Sequence, residues 1–238
     1  MGAGPLAPSG PWRMARVLAV TDETPRAKTF RLALPEPSHH LAGQHVVVRL
    51  TAPDGYRAQR SYSVASAPDD TDELDLTVER LEGGEVSTFL HDVVEPGDDL
   101  EIRGPLGGFF VWDGVTPALL VGGGSGLVPL MAMLRLARHR GMSDRVRLIV
   151  SVRTPDDLLF ASELPGPETT VVFTRVAPPS TQRPPGRLAP ADVPVPLAPD
   201  TTAYVCGSAG FCNAAGDLLV GLGVPVERIR TERFGPSG

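Results

Sequence analysis

The spacing of apolar residues changes once along the chain, near residue 115, and this change constrains the fold more than any other feature. Before it, short alternating runs are separated by clusters of Gly, Pro and Asp. Such runs are typical of an antiparallel β-barrel or sandwich. Residues 86–94 interrupt them with apolar residues at helical spacing, which predicts one helix. The runs are ARVLAV, TFRLAL, HVVVRL, RSYSVAS, LDLTVER and LEIRG.

After residue 115, strands alternate with helices, which predicts βαβ units and a parallel sheet. We therefore predict two domains, an all-β domain over residues 12–113 and an α/β domain over residues 114–238, preceded by a disordered leader at residues 1–11. Residues 177–199 contain eight prolines, which disfavours a regular helix there. The helices predicted in the second domain cover residues 127–139, 156–164 and 213–222.

Composition excludes several classes of protein. The apolar runs are far shorter than the roughly 18 residues that a membrane span requires. A net charge of −6 argues against a nucleic-acid binder that neutralises phosphates. The two cysteines, Cys206 and Cys212, form neither a disulfide framework nor a four-thiolate metal site. Because no signal peptide is recognisable, we expect a cytoplasmic protein.

A glycine-rich segment, GGGSGLVP at residues 122–129, follows an apolar strand and opens an apolar helix. Glycines allow a close approach of the backbone to a pyrophosphate, and the amino end of a helix favours an anion. The segment is therefore a candidate phosphate-binding loop. The spacing differs from G-x-G-x-x-G, because Leu127 stands where the third glycine would be. A tight turn without a ligand is the alternative.

Two further segments suggest a phosphate-bearing ligand in the β domain. Arg60 and Tyr62 share one face of a predicted strand, and Ser61 and Ser63 share the other. An arginine offers a forked donor to a phosphate, and a tyrosine ring can lie against a planar ligand. Residues 83–88 (GGEVST) place small residues before the helix of this domain. The alternatives are an ordinary exposed strand and a plain helix cap.

Taken in order, these motifs resemble those of the ferredoxin–NADP reductase superfamily. More narrowly, they are similar to the single-chain flavin reductases that serve oxygenases. The resemblance covers nearly all of residues 15–238 and implies a six-stranded antiparallel flavin-binding barrel followed by a parallel-sheet nucleotide-binding domain. It is carried by RSYS in the β domain, GGGSGLVP after the first strand of the α/β domain, and then VCG and ERF near the carboxyl end.

The resemblance also implies roles for individual residues. Arg60 would bind the flavin pyrophosphate, Tyr62 would pack against the isoalloxazine ring and Ser63 would lie near flavin N5. The predicted catalytic set is Ser63, Cys206, Glu232 and Phe234, with Cys206 beside the nicotinamide and the last two on the segment that covers the other flavin face. In many relatives the final residue is an aromatic, whereas four residues follow Phe234. The remaining predicted cofactor contacts are Ser61, Gly84, Val86, Ser87, Thr88, Gly123, Gly124, Gly126 and Gly207.

The same resemblance implies FAD as the flavin, because RSYS is followed by Ser66-Ala67-Pro68; FMN stays open. Arg153 and the pair Thr174-Arg175 stand at the ends of the second and third α/β strands, which favours the 2′-phosphate of NADPH. Two carboxylates nearby, at residues 156–157, leave NADH open.

We expect hydride transfer from NAD(P)H to FAD and onward transfer of electrons to a separate redox protein, such as a ferredoxin, an oxygenase or a molybdenum enzyme. Two cysteines six residues apart cannot hold the cluster of a fused plant-type ferredoxin domain. A flavin or quinone reductase with a small-molecule acceptor is one alternative. A nucleotide-binding subunit without turnover is another. The oligomeric state has no signature in the sequence.

Overall fold

The computed structural model describes residues 10–69 and 71–235. The predicted leader at residues 1–11 lies almost entirely outside these ranges. The first sheet contains six antiparallel strands in the order β4-β3-β6-β1-β2-β5, and a helix, α1 (Glu85–Asp92), precedes its last strand. The strands are β1 (Arg13–Thr24), β2 (Ala27–Ala33), β3 (His45–Thr51), β4 (Arg57–Ser63), β5 (Glu73–Glu79) and β6 (Asp99–Leu106).

The two edge strands of this sheet meet. An antiparallel bridge joins Val64, the residue after β4, to Leu76 of β5. Alternate strand residues fill the interior, where Phe30, Val46 and Ile102 are buried. The predicted six-stranded antiparallel sheet is thereby confirmed, in a barrel-like arrangement.

The second sheet contains five parallel strands in the order β11-β10-β7-β8-β9. One helix covers each face, because buried residues of α2 and α3 belong to separate core clusters on opposite sides of the sheet. The elements are β7 (Ala118–Gly123), α2 (Leu127–His139), β8 (Val146–Val152), β9 (Thr169–Phe173), β10 (Thr202–Ser208), α3 (Ala209–Gly221) and β11 (Ile229–Phe234). The predicted parallel α/β arrangement is confirmed.

The strand order reverses between β7 and β10, since the chain runs from β7 outward to β8 and β9 and then returns to β10. Ligands of open parallel sheets bind outside the carboxyl ends of the strands at such a reversal. The topology therefore points to the loops after Gly123 and Cys206.

The helix predicted over residues 156–164 is wrong. The segment holds one 3₁₀ turn, Pro155–Asp157, and then irregular chain. Phe160 adopts φ +53°, which a right-handed helix does not allow. This conformation buries the Phe160 ring, while its backbone N–H donates to Glu23 of β1 at 3.2 Å. Residues 177–199 contain the single 3₁₀ turn Pro190–Asp192 and no α-helix, as their prolines predict.

One of the three apolar clusters among the described residues includes residues from both parts of the chain, while the barrel interior forms a cluster of its own. Four small barrel residues pack with α2 and Trp112 in a single buried cluster; they are Ala27, Ala42, Ala65 and Ala67. Several polar contacts also cross between the barrel and the α/β part, among them that of Phe160 with Glu23. Arg135 Nη1 of α2 donates to the Ala65 carbonyl at 2.7 Å, and the Tyr204 hydroxyl of β10 donates to the Val111 carbonyl at 2.9 Å. Within the described ranges, no helix is both long enough and apolar enough to cross a membrane.

Candidate active site

One face of β4 presents the cation and the aromatic ring that the sequence singled out. Arg60 is exposed, and Tyr62 is half-buried against the barrel core. Burial raises the pKa of Tyr62 to about 12, with the charge of Arg60 acting in the opposite direction. Tyr62 is therefore a neutral phenol, suited to lie against a planar ring. On the other face of β4, Ser61 is exposed and Ser63 is buried.

The amino end of α1 lies beside this strand. Tyr56, just before β4, donates its hydroxyl proton to Glu85 Oε2 at 3.1 Å. Gly84 is the N-cap residue of α1, and no side chain of the described chain caps this helix. The first-turn N–H groups of a helix have no intrahelical partner. They are therefore available to an anion beside Arg60.

Ser87 has a structural task at this turn. Its Oγ accepts from the Leu81 N–H at 3.1 Å and donates to the Gly84 carbonyl at 3.2 Å. The single hydroxyl proton is thus committed to the backbone. Val86 is buried in the barrel core, and Thr88, the residue after Ser87, is half-buried. Backbone N–H groups are therefore better placed than the Ser87 hydroxyl to hold a phosphate.

The glycine loop between β7 and α2 forms a second uncapped helix start. The 3₁₀ turn Gly124–Gly126 leads directly into α2, and the Leu127 N–H donates to carbonyls of this turn; neither N-cap residue, Gly123 or Gly126, has a capping side chain. Gly124 adopts φ +57°, and a Cβ added there would find open space among the residues described. The amino end of α3 differs, because Ser208 Oγ accepts from the Phe211 N–H at 3.3 Å. The two helix starts that follow predicted phosphate motifs are thus the uncapped ones.

Three of the predicted ligand glycines also have packing reasons. A Cβ on Gly126 would lie 2.2 Å from the Cys206 carbonyl oxygen. A Cβ on Gly123 or Gly207 would lie within 3 Å of the Phe211 ring. The loops after β7 and β10 therefore touch backbone to backbone, and only glycine allows this approach.

Cys206 and Glu232 are direct neighbours on β10 and β11. Cys206 is fully buried, and burial raises the pKa of its thiol, so the thiol is neutral. Burial also raises the pKa of Glu232 to about 7. Phe234, two residues further along β11, shares the face of Glu232 and packs against the core cluster that contains Cys206. The carboxyl end of this sheet therefore holds a neutral thiol, a carboxyl group that titrates near neutrality and an aromatic ring.

Arg230 fixes the approach of the barrel to this face. Its Nη1 donates to the carbonyls of Phe109 at 3.1 Å and Val111 at 2.8 Å. Its guanidinium carbon also lies 5.5 Å from the Tyr204 ring centroid. The segment that leaves the barrel is thereby held against β10 and β11.

Arg153, Thr174 and Arg175 come together at the carboxyl ends of β8 and β9. The Arg175 N–H donates to the Arg153 carbonyl at 3.0 Å, and both arginine side chains are exposed. Asp157 is committed locally, since its Oδ2 accepts from the Thr154 N–H at 3.1 Å and the Thr154 hydroxyl at 2.8 Å. Two cations on neighbouring strand ends therefore face solvent at the carboxyl edge of the second sheet.

Sequence reasoning missed the contacts of Arg135 and Arg230 between the two sheets. Arg135 had a readable signal, because it is a charged residue in a helix that is otherwise almost wholly buried. For Arg230 there was no local signal, since its carbonyl partners lie about 120 residues earlier in the chain.

Comparison with known proteins places the chain among flavin-dependent reductases. Residues 15–111 match the family described as the oxidoreductase FAD-binding domain. Residues 15–111 are thus similar to that family, and nearly the whole chain is similar to reductases of the ferredoxin–NAD(P)(+) type. It is 29% identical to the ferredoxin–NAD(P)(+) reductase component of naphthalene 1,2-dioxygenase/salicylate 5-hydroxylase systems from Ralstonia, covering 93% of this chain and 69% of that protein.

Two further matches agree with this family. The flavohemoprotein of Chromobacterium violaceum is 34% identical over 94% of this chain, which spans 61% of that relative. The flavohem-like FAD/NAD-binding domain of nitric oxide dioxygenase from Vibrio cholerae superimposes with a TM-score of 0.84 at 26% identity, covering 94% of this chain and 99% of that one. Over the family's FAD-binding region, the exposed Arg60, the half-buried Tyr62 and the uncapped start of α1 fit a flavin dinucleotide.

Proposed function

We propose that the protein is an NAD(P)H-dependent flavoprotein reductase that passes electrons to a separate redox protein. One observation carries this proposal. Two glycine-led helix starts without a capping side chain lie in the two parts of the chain, one at α1 beside the strand that carries Arg60 and Tyr62, and the other in the glycine loop beside Cys206. FAD supplies the chemistry when bound, because it accepts a hydride from nicotinamide and can release electrons one at a time.

The barrel residues would hold the flavin. Arg60 and the free N–H groups at residues 85–87 would bind the pyrophosphate, which a cation and a helix amino end both favour. Tyr62 would lie against the isoalloxazine ring, and Ser63, at the end of the same strand, would lie near N5. Ser61 and Gly84 complete the proposed contacts along this strand and turn.

The α/β residues would hold the nicotinamide nucleotide. Gly124 and the amino end of α2 would receive its pyrophosphate, while Gly123, Gly126 and Gly207 would keep the two loops close enough to form that site. Cys206 would contact the nicotinamide as a neutral, apolar surface. Glu232 would place a carboxyl group beside it, and Phe234 would cover the ring site. These residues would fix the two rings at reacting distance.

NADPH is the proposed donor. Arg153 and Arg175 are adjacent, exposed cations, which suit a 2′-phosphate. Asp157 accepts two hydrogen bonds from Thr154 through its Oδ2, while Asp156 is exposed, so NADH is the alternative donor that the test below compares.

The partner, the compartment and the domain limits belong to the same proposal. The Ralstonia relative is named as the reductase component of oxygenase systems, which supports a ferredoxin or an oxygenase as the acceptor. We place the protein in the cytoplasm, in keeping with two free thiols. The proposed FAD-binding domain covers residues 12–113 and the proposed NAD(P)-binding domain residues 114–238.

The test is an absorption spectrum of the purified protein before and after anaerobic NADPH, and separately NADH. We expect visible flavin bands that bleach faster with NADPH. A protein that stays colourless after addition of FAD or FMN would refute the reductase and leave a nucleotide-binding subunit. Reduction of cytochrome c that requires an added ferredoxin would support the protein acceptor, whereas direct reduction of quinones alone would contradict it.

A further inference from the structure

Tyr56 extends the flavin-binding face of β4 in the direction away from Tyr62. The Ala52 N–H donates to the Tyr56 carbonyl at 2.8 Å, so strand pairing continues through this residue. Side chains two residues apart in a strand lie on the same face. Tyr56, Arg60 and Tyr62 therefore form one row, in that order, along the strand.

The Tyr56 ring is both exposed and held in place. Tyr56 is 58% exposed. Its hydroxyl donates to Glu85 Oε2 at 3.1 Å, and its backbone N–H donates to Asp54 Oδ1 at 3.0 Å. Arg60 lies between the two tyrosines along this face of the strand, and its charge acts to lower the pKa of both. A large apolar surface fixed in this way beside a phosphate-binding turn is suited to stacking.

The spacing of the row matches a dinucleotide rather than a mononucleotide. At about 3.3 Å per residue, Arg60 lies roughly 7 Å from Tyr62, and Tyr56 lies roughly 13 Å beyond Arg60. A flavin with its ring at Tyr62 and its phosphates at Arg60 would have only its adenosine half left to reach Tyr56. FMN ends at its one phosphate and has no such half.

We propose that the Tyr56 ring is the platform on which the adenine of FAD stacks, and that this contact makes the protein prefer FAD to FMN. The proposal rests on the flavin site proposed above. It adds a binding residue that lies outside the RSYS and GGEVST motifs.

The experiment is titration of flavin-free protein with FAD and with FMN, followed by flavin fluorescence. Stacking of a base on an aromatic ring is worth about 1–3 kcal/mol. We therefore expect Tyr56→Leu to weaken FAD binding about tenfold or more and to change FMN binding less than about twofold. Tyr56→Phe keeps the ring and loses only the Glu85 bond, so it should retain most of the FAD affinity. Leu18→Ala removes another exposed apolar side chain of the barrel, in β1, and is the matched control.

The outcomes are separable. Equal weakening of FAD and FMN by Tyr56→Leu would show a structural role for the hairpin and overturn the proposal, as would no weakening of either. A wild-type protein that binds FMN as tightly as FAD would also overturn it, while bleaching of the bound flavin by NADPH would still support the reductase. Binding of neither flavin would overturn both.

Discussion

Glu232 is a carboxyl group whose ionisation is disfavoured by burial. Burial raises its pKa from the ordinary value of 4.5 to about 7. Between these two values the folded protein binds a proton that the unfolded chain has released. Ionisation of the folded state is therefore unfavourable, and stability falls as the pH rises from about 4.5 to 7. Above pH 7 this dependence ends.

Glu232→Gln removes the titration, so we expect the variant to lose this part of the pH dependence. At 1.36 kcal/mol per pKa unit, the difference amounts to on the order of 3 kcal/mol. Glu232→Gln should therefore gain stability relative to the wild type at pH 8 and not at pH 4. The measurement is the midpoint of thermal unfolding at a series of pH values, with both proteins flavin-free. Parallel pH curves for the two proteins would contradict the raised pKa.

Individual residues also show which features of the site could be predicted from the sequence and which could not. The spacing of GGGSGLVP located the glycine loop, because a loop of this kind is a local pattern. The packing of Gly123 against Phe211 could not be read from it, since these residues are 88 positions apart. The same limit applies to Ser87, whose hydroxyl proves to be committed to its own turn.

At the scale of elements, alternation and helical spacing located most strands and the three helices. The exception is the helix predicted over residues 156–164. The observed conformation of this segment includes a hydrogen bond to a residue far away in the sequence. Glu23 of β1 accepts from the Phe160 N–H, a contact between positions 137 residues apart, and no local pattern encodes it. The strand of the proposed flavin site and the first helix, by contrast, were found because alternation along β4 and the glycines before α1 are local.

Arg135 and Arg138 of α2 both form ion pairs with glutamates, but their other contacts differ. Arg135 binds both Glu163 oxygens, at 2.9 and 2.5 Å, and also donates to Ala65 in the barrel. Arg138 binds the buried Glu168 and the Glu163 carbonyl, all within the α/β part. Ala65 lies two residues after Ser63. Arg135 thus ties the proposed flavin strand to the helix that begins at the glycine loop.

This contrast predicts opposite effects of the same substitution. Arg138→Met leaves the buried Glu168 charge unpaired, so we expect a loss of about 3 kcal/mol in stability and little change in the rate of flavin reduction. Arg135→Met leaves the half-exposed Glu163 free to be solvated and should cost less stability. It should slow flavin reduction by NADPH about tenfold through misplacement of the two rings. Urea unfolding and anaerobic stopped-flow reduction at saturating NADPH measure the two effects. Equal slowing in both variants would argue against a positioning role of Arg135.

At the scale of the molecule, one apolar cluster joins the two parts of the chain. Domains within a chain usually meet through modest, rather polar interfaces and move relative to each other. Here, small barrel residues such as Ala65 are fully buried in the same cluster as α2, and Trp112, between the sheets, is only 1% exposed. Separating the sheets would expose this apolar surface to water. The free-energy cost is roughly 25 cal/mol for each Å² exposed.

We therefore expect the whole chain to unfold in a single transition, although the sequence divides it near residue 113. The chain has two tryptophans, and Trp12→Phe leaves Trp112 as the one probe of the boundary. Urea unfolding of this variant, followed by tryptophan fluorescence at the boundary and by far-UV circular dichroism over both sheets, should give coincident curves, because loss of the shared core removes support from both sides. A fluorescence transition that precedes the loss of secondary structure would show that the sheets separate first, and the barrel would then be independently stable. Coincident curves would mean that the spacing of the two proposed nucleotide sites is maintained by the same core that stabilises the fold.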